Sequence, residues 1–118
     1  MKPAKPTTPK GTRDYTPSMM LKRNFIIGHI KEVFEKYGFM PLETPAMENL
    51  SVLMGKYGEE GDQLLYKILN QADFLSKVET SDIEKGSKHL ALKISEKGLR
   101  YDLTVPFARF VVMNQNDL

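Results

Sequence analysis

Twenty residues with helical periodicity, set between a proline and a glycine, restrict the fold of this chain more than any other stretch. From Ser18 to Tyr37, the residues Leu21, Phe25, Ile26, Ile30, Val33, Phe34 and Tyr37 recur at spacings of three and four. That spacing puts them on one face of a helix. Thr16 or Ser18 can cap its start, with Pro17 in the first turn. Glu32 and Lys36 lie four apart on the wet face and add a small favourable pair. Gly38 stands where a helix needs a left-handed residue to end. Gly28, in mid-helix, costs up to about 1 kcal/mol relative to Ala. It is either a tolerated defect or the mark of a close backbone approach.

The remaining sequence has to fold around or beside that helix. The chain has 118 residues, 41% of them hydrophobic, enough for one domain or part of one. It has no cysteine, which excludes disulfides and thiolate metal sites and is compatible with a reducing cytosol. No apolar run approaches the roughly 18 residues of a membrane span. The Lys- and Pro-rich start has no apolar stretch behind it, so no secretory signal is expected. Lys and Arg number 17 against 15 acids, too even a balance to argue for nucleic acid without clustering. Residues 1–10 place Pro at 3, 6 and 9 and Lys at 2, 5 and 10, the pattern of an extended tail.

Beyond the long helix, Phe39 to Pro45 reads as a short extended segment. Pro41 cannot donate to a ladder, so it is expected at a sheet edge. Met47 to Tyr57 is expected to be a second helix, Leu64 to Leu69 a strand and Ala72 to Val78 a short helix. Glu79 to Lys88 reads as a solvated loop. Residues 88–96 alternate apolar positions at Leu90, Leu92 and Ile94, as a half-buried strand does. Gly98 then permits a turn into Leu99 to Leu103, which predicts a hairpin. Thr104 is placed to cap a last helix with Pro106 in its first turn. His89 has no second metal ligand at suitable spacing, and His29 falls on the wet face of the first helix.

The chemistry concentrates at Leu99-Arg100-Tyr101-Asp102-Leu103-Thr104, where a strand is expected to run into a helix. Alternation along a strand aims Asp102 and Thr104 to the same side and Tyr101 and Leu103 to the other. Asp102 suits an ammonium group, and Thr104 adds a hydroxyl that donates and accepts. Together they can recognise the amino end of an amino acid. The simpler alternative is that Thr104 caps its helix and Asp102 is a surface acid.

Three further segments accompany LRYDLTVPFAR in a fixed order: Lys10-Gly11-Thr12-Arg13-Asp14-Tyr15, then Tyr37-Gly38-Phe39 through Thr44-Pro45, then Leu53-Met54-Gly55-Lys56-Tyr57-Gly58-Glu59. In this arrangement the chain resembles the N-terminal part of the catalytic domain of histidyl-tRNA synthetase, a class II aminoacyl-tRNA synthetase. The resemblance covers most of residues 10–69 and 98–115 and leaves 71–97 as a possible insertion. It implies an α+β fragment of the class II core, with a long motif 1 helix and short, mostly antiparallel strands. Residues 1–10 would be a tail and 11–118 the catalytic-domain portion.

The resemblance further implies that Asp102, Leu103 and Thr104 contact the amino group of histidine, Leu103 through its backbone. It places Phe34, Tyr37 and Pro45 in a motif 1 dimer interface. Arg100 and Arg109 become candidates for phosphate or tRNA contacts. Arg13, Tyr15 and Lys56 fall in family signatures without an assignable role. The reaction implied is ATP- and Mg2+-dependent activation of histidine and its transfer to tRNA(His), in a cytoplasmic homodimer without membrane contact. The family's motif 2 and motif 3 arginines would lie beyond Leu118. No catalytic residue and no metal ligand is therefore expected here, no cofactor is expected bound, and these residues alone are expected to be inactive. Two other functions fit the same residues: a histidine-sensing regulatory subunit of the first enzyme of histidine biosynthesis, and a free-standing dimerisation module.

Overall fold

A computed structural model describes residues 5–117; the extended-tail reading of residues 1–4 and the terminal Leu118 lie outside them. The chain divides into two compact units, Met1–Leu42 and Glu43–Leu118.

The first unit is a turn and a helix. Gly11 takes φ +84°, and Thr12 donates its backbone N–H to the Pro9 carbonyl at 3.0 Å, closing a tight turn that glycine makes accessible. Helix α1 spans Pro17–Lys36, as the periodicity predicts, with Thr16 at the N-cap position and Pro17 at the first helical residue. The Thr16 hydroxyl caps no backbone N–H and lies 3.2 Å from that of Ser18. The Glu32–Lys36 pair forms at 2.8 Å. At the C-terminus Gly38 has φ +84°, and the N–H groups of Gly38 and Phe39 reach the carbonyls of Glu35 and Phe34. Phe39 folds its ring edge-on against Phe34, centroids 5.4 Å apart. This is a Schellman ending with its usual apolar contact. Gly28 has nothing within 4 Å of where a Cβ would stand, so close backbone approach does not explain it here. The apolar stripe is exposed, Leu21 at 72% and Phe25 at 67%.

Phe39 to Pro45 forms no strand. Pro41 and Pro45 offer no N–H to a ladder, and regular pairing starts only beyond them.

The second unit is built on a three-stranded antiparallel sheet of order β1-β3-β2. Strand β1 is Met47–Asn49, followed at once by helix α2, Leu50–Leu53, and then by α3, Gly58–Leu64. Strand β2 is Lys67–Ile68, α4 is Thr80–Glu84, α5 is Ser87–Lys93, β3 is Lys97–Leu99 and α6 is Thr104–Met113. Gly98 is the register centre, opposite Glu48 on one side and Lys67 on the other. A Cβ at Gly98 would stand 3.0 Å from the Tyr66 carbonyl and 3.2 Å from Leu50 Cδ1. A bare backbone at this point lets the α2 leucines rest on the sheet. Leu50, Leu53 and Leu65 form the buried apolar core, with Pro106 of α6 fully enclosed.

Several expectations are corrected here. The predicted helix from Met47 to Tyr57 splits into a strand and a single turn, because Met47–Asn49 pairs with residues some fifty positions later. The strand expected over Leu64 to Leu69 shrinks to two residues, since α3 takes Leu64. Ala72 to Val78 is turn rather than helix, and the expected loop Glu79 to Lys88 contains α4. Residues 88–96 are mostly helical, with Leu90 and Ile94, four apart, half-buried. Period-two alternation and one helical face coincide over so short a stretch. The hairpin expected between residues 88–96 and Leu99 to Leu103 therefore does not form, and β3 pairs with β1 and β2 instead.

Candidate functional site

The segment after β3 is the most organised polar corner of the second unit. β3 stops at Leu99, so residues 101–103 bend instead of continuing the strand. Tyr101 and Leu103 accordingly do not face into the sheet and stand 51% and 61% exposed. Leu103 occupies the N-cap position of α6. Thr104 is the first helical residue and not the cap. The capping acceptor is Asp102, whose Oδ1 takes the Thr104 backbone N–H at 2.9 Å.

Asp102 and Thr104 come together as the sequence predicts. The Thr104 hydroxyl donates to Asp102 Oδ2 at 3.2 Å. Tyr57 adds a third donor, its phenol reaching Asp102 Oδ1 at 2.8 Å. The Tyr57 ring also leans on Tyr101, centroids 4.8 Å apart. These donors, Tyr57 first and the Thr104 backbone next, hold the Asp102 carboxyl below the usual carboxylate range. Burial first and the bonded carboxylate second push the Tyr57 phenol up to about 12. Asp102 is thus an anion at neutral pH. Its Oδ1 accepts two bonds and its Oδ2 one, which leaves capacity on Oδ2. The Thr104 hydroxyl spends its proton on Oδ2, so its lone pairs point elsewhere. Two oxygen acceptors 3.2 Å apart, one of them charged, suit a group with several N–H donors and a positive charge.

Tyr57 was not legible as a site residue. It lies 45 positions from Asp102, and only its place in the Gly55-Lys56-Tyr57-Gly58 run marked it. Gly61, one turn into α3, is buried against the Tyr57 side chain, and a Cβ there would collide with it. The Gly55 N–H is held by both oxygens of Asp62, at 3.0 and 3.1 Å, which ties the loop before Tyr57 to α3.

Other candidates have structural roles. Arg100 donates from Nη1 to the Thr44 carbonyl at 2.7 Å, and its backbone N–H reaches the Ala46 carbonyl. Arg109 pairs through Nε with Glu48 Oε2 at 2.7 Å, Glu48 being almost wholly buried in β1. His89 Nε2 meets Asp82 Oδ1 at 2.8 Å, and Lys93 Nζ lies 3.4 Å from Asp82 Oδ2, a cluster that joins α4 to α5. The Glu79 backbone N–H, then His89 and Lys93, hold Asp82 down at about 2. Phe34 and Tyr37 of the first unit are 52% and 80% exposed, and Pro45 of the second unit is exposed. Among the described residues no group of His, Asp and Glu side chains is arranged to hold a metal ion, and no helix is long and apolar enough to cross a membrane. A cavity of about 580 Å³ lies elsewhere in the second unit, between Ile68, Phe74, Lys77 and Lys97, and does not include Asp102.

No protein-family profile matches the chain. It is 65% identical over 114 residues to a histidine–tRNA ligase of Cytophaga hutchinsonii, covering 97% of this chain and 25% of that ligase. It is 55% identical over 116 residues to one of Bacteroides fragilis, covering 98% of this chain and 26% of that protein. Among solved structures, the histidyl-tRNA synthetase of Nostoc sp. PCC 7120 matches 95% of this chain and 21% of its own, at 29% identity and a TM-score of 0.64. The chain thus spans about a quarter of the length of the curated relatives it matches, and its α+β fold is similar to that of the matched fifth of the Nostoc synthetase.

Proposed function

We propose that this chain is the portion of a histidine–tRNA ligase that receives the amino group of histidine. The observation that carries the reading is the acceptor pair at the start of α6: an ionised Asp102 and the Thr104 hydroxyl, locked to each other and to Tyr57. The ammonium of the amino acid would donate to Asp102 Oδ2 and Thr104 Oγ1, with the Leu103 backbone beside them. The role of the three donors already present is to fix the carboxylate before substrate arrives, so that little order has to be imposed on binding.

The whole enzyme would activate histidine with ATP and transfer it to tRNA(His), as a class II synthetase in the cytoplasm. ATP and Mg2+ belong to that reaction. The described residues offer no metal-holding cluster, so they do not fit the magnesium ion. Residues 11–118 are read as the catalytic-domain portion, with 1–10 a tail and 71–97 an insertion. The exposed stripe of α1 supports a second element of the reading, self-association of the enzyme through Phe34, Tyr37 and Pro45. Apolar surface of this kind marks an interaction face.

The test is Asp102→Ala in the full-length enzyme. Histidine affinity should fall roughly tenfold or more, the scale of a lost hydrogen bond to a charged group, while ATP affinity changes much less. Equal losses for both ligands would assign Asp102 to the support of α6 instead.

A further inference from the structure

The Tyr57 phenol reaches Asp102 from a segment whose ends are loose. Gly55 and Gly58, on either side of Lys56 and Tyr57, both lie in the left-handed region, at φ +74° and +73°. Nothing stands within 4 Å of where a Cβ on either would be, so they are glycines for conformation and not for packing. A segment bounded by two such glycines can swing, and glycine gives up the most freedom when it is fixed. Asp62 removes that freedom at the first of them. Both of its oxygens accept the Gly55 N–H, at 3.0 and 3.1 Å, a charge-assisted contact of the stronger kind. Asp62 is itself anchored: it sits in the last turn of α3, and its carbonyl accepts Lys67 Nζ of β2 at 3.1 Å.

Beyond this latch, the bare Gly61 lets the Tyr57 side chain lie against α3, and the phenol donates to Asp102 Oδ1 at 2.8 Å. Among the described residues Asp62 makes no hydrogen bond to Tyr57, Asp102 or Thr104. We propose that Asp62 is a positioning residue for the amino group of histidine, acting through Gly55 and Tyr57 on Asp102. This role rests on Asp102 receiving that ammonium. With the latch closed, the Tyr57 donor is in place before histidine arrives. With it open, Asp102 Oδ1 keeps the Thr104 N–H, but the carboxylate is no longer held from its second side. Part of the ordering then falls on substrate binding. The consequence is a raised KM for histidine with little change in kcat, because bound histidine restores the order itself.

The experiment is a cycle of D62A, D62N and Y57F in the full-length enzyme. In D62A the histidine affinity, and the KM for histidine in ATP–pyrophosphate exchange, should weaken roughly three- to tenfold, the scale of one ordinary hydrogen bond. The kcat and the ATP affinity should stay within about twofold. Asn keeps an acceptor oxygen for the Gly55 N–H, so D62N should lose about twofold or less. In the Y57F background D62A should add almost nothing, because the two residues act in series. A D62A loss that adds in full to that of Y57F, with a lowered melting temperature, would make Asp62 a support of α3 and overturn the proposal. The phenol gives a readout that needs no histidine: the Tyr57 ionisation, at about 12 in the parent, should fall toward about 10 in D62A. An ionisation that stays at about 12 in D62A would overturn the proposal whatever histidine does. So would a histidine affinity that falls in D102A and is unchanged in D62A, and the reading of the Asp102 corner would then stand. A phenol that falls in D62A, with histidine affinity unchanged in both D62A and D102A, would overturn the reading of the corner and leave the link from Asp62 to Tyr57 in place.

Discussion

Arg109→Met tests how the candidate site is held in place. Arg109 is the bond between α6, whose first residue is Thr104, and β1, which carries Glu48. The ion pair is short, 2.7 Å from Nε to Oε2, and the side chains are 23% and 6% exposed. Removing the guanidinium leaves Glu48 as a carboxylate in the sheet with no counter-ion. Removing one partner of a buried pair costs about 3–5 kcal/mol. Two features place this case at the lower end. The Glu48 Oε1 keeps a bond from the Asn49 N–H at 3.3 Å, and the side of Arg109 that faces water lets solvent into the vacated space. We expect a loss of about 3 kcal/mol, read as a drop in the urea midpoint at constant slope. The decisive partner is Glu48→Gln in the same background. It deletes the orphan charge, so the double variant should be more stable than Arg109→Met alone by about 1 kcal/mol or more. A loss under about 1 kcal/mol, with no recovery from the glutamine, would refute the reasoning. The pair would then be solvated, and α6 would be held by Pro106 and its apolar neighbours.

The remaining predictions concern particular contacts. Tyr57 should appear in a spectrophotometric titration as a phenol ionising near 12, absent in Tyr57→Phe. Because its folded pKa is raised, the stability it contributes is present below pH ~10 and is lost as pH rises toward 12. Asp82, held at about 2, behaves in the opposite sense. Its contribution is present above its ordinary value near 4 and is lost as pH falls through 2, so Asp82→Asn should flatten that part of an acid unfolding curve. Gly98→Ala should cost about 1–3 kcal/mol in thermal or urea unfolding, since its Cβ would press on the Tyr66 carbonyl and Leu50. An Ala variant as stable as the parent would mean that β3 shifts freely.

Legibility followed the range of the forces involved. Helix α1 was readable to within a residue because periodicity, Pro17 and Gly38 all act locally. The pairing of Asp102 with Thr104 was readable because they stand only two positions apart. The element types between Met47 and Ile94 were mostly not readable. Short apolar runs satisfy both periods, and here pairing with β3, or the packing of α4 against α5, decided between them. Arg100 and Arg109 show the same limit from the functional side. In sequence they are cations near a ligand motif, and in the fold Arg100 bonds Thr44 through Nη1 and Arg109 pairs with Glu48.

By itself the sequence determined the long helix and its ends, the start of α6 with its carboxylate and hydroxyl, and the resemblance that named a family. These rest on neighbours within a turn or on residue identity alone. Only the tertiary structure decided that Tyr57 completes the Asp102 corner, that Asp102 and not Thr104 caps the helix, that Gly98 lies where α2 rests on the sheet, and that Arg109 pairs with Glu48. Each of those depends on groups brought together from distant positions, where the folded chain chooses among partners that the local sequence permits equally.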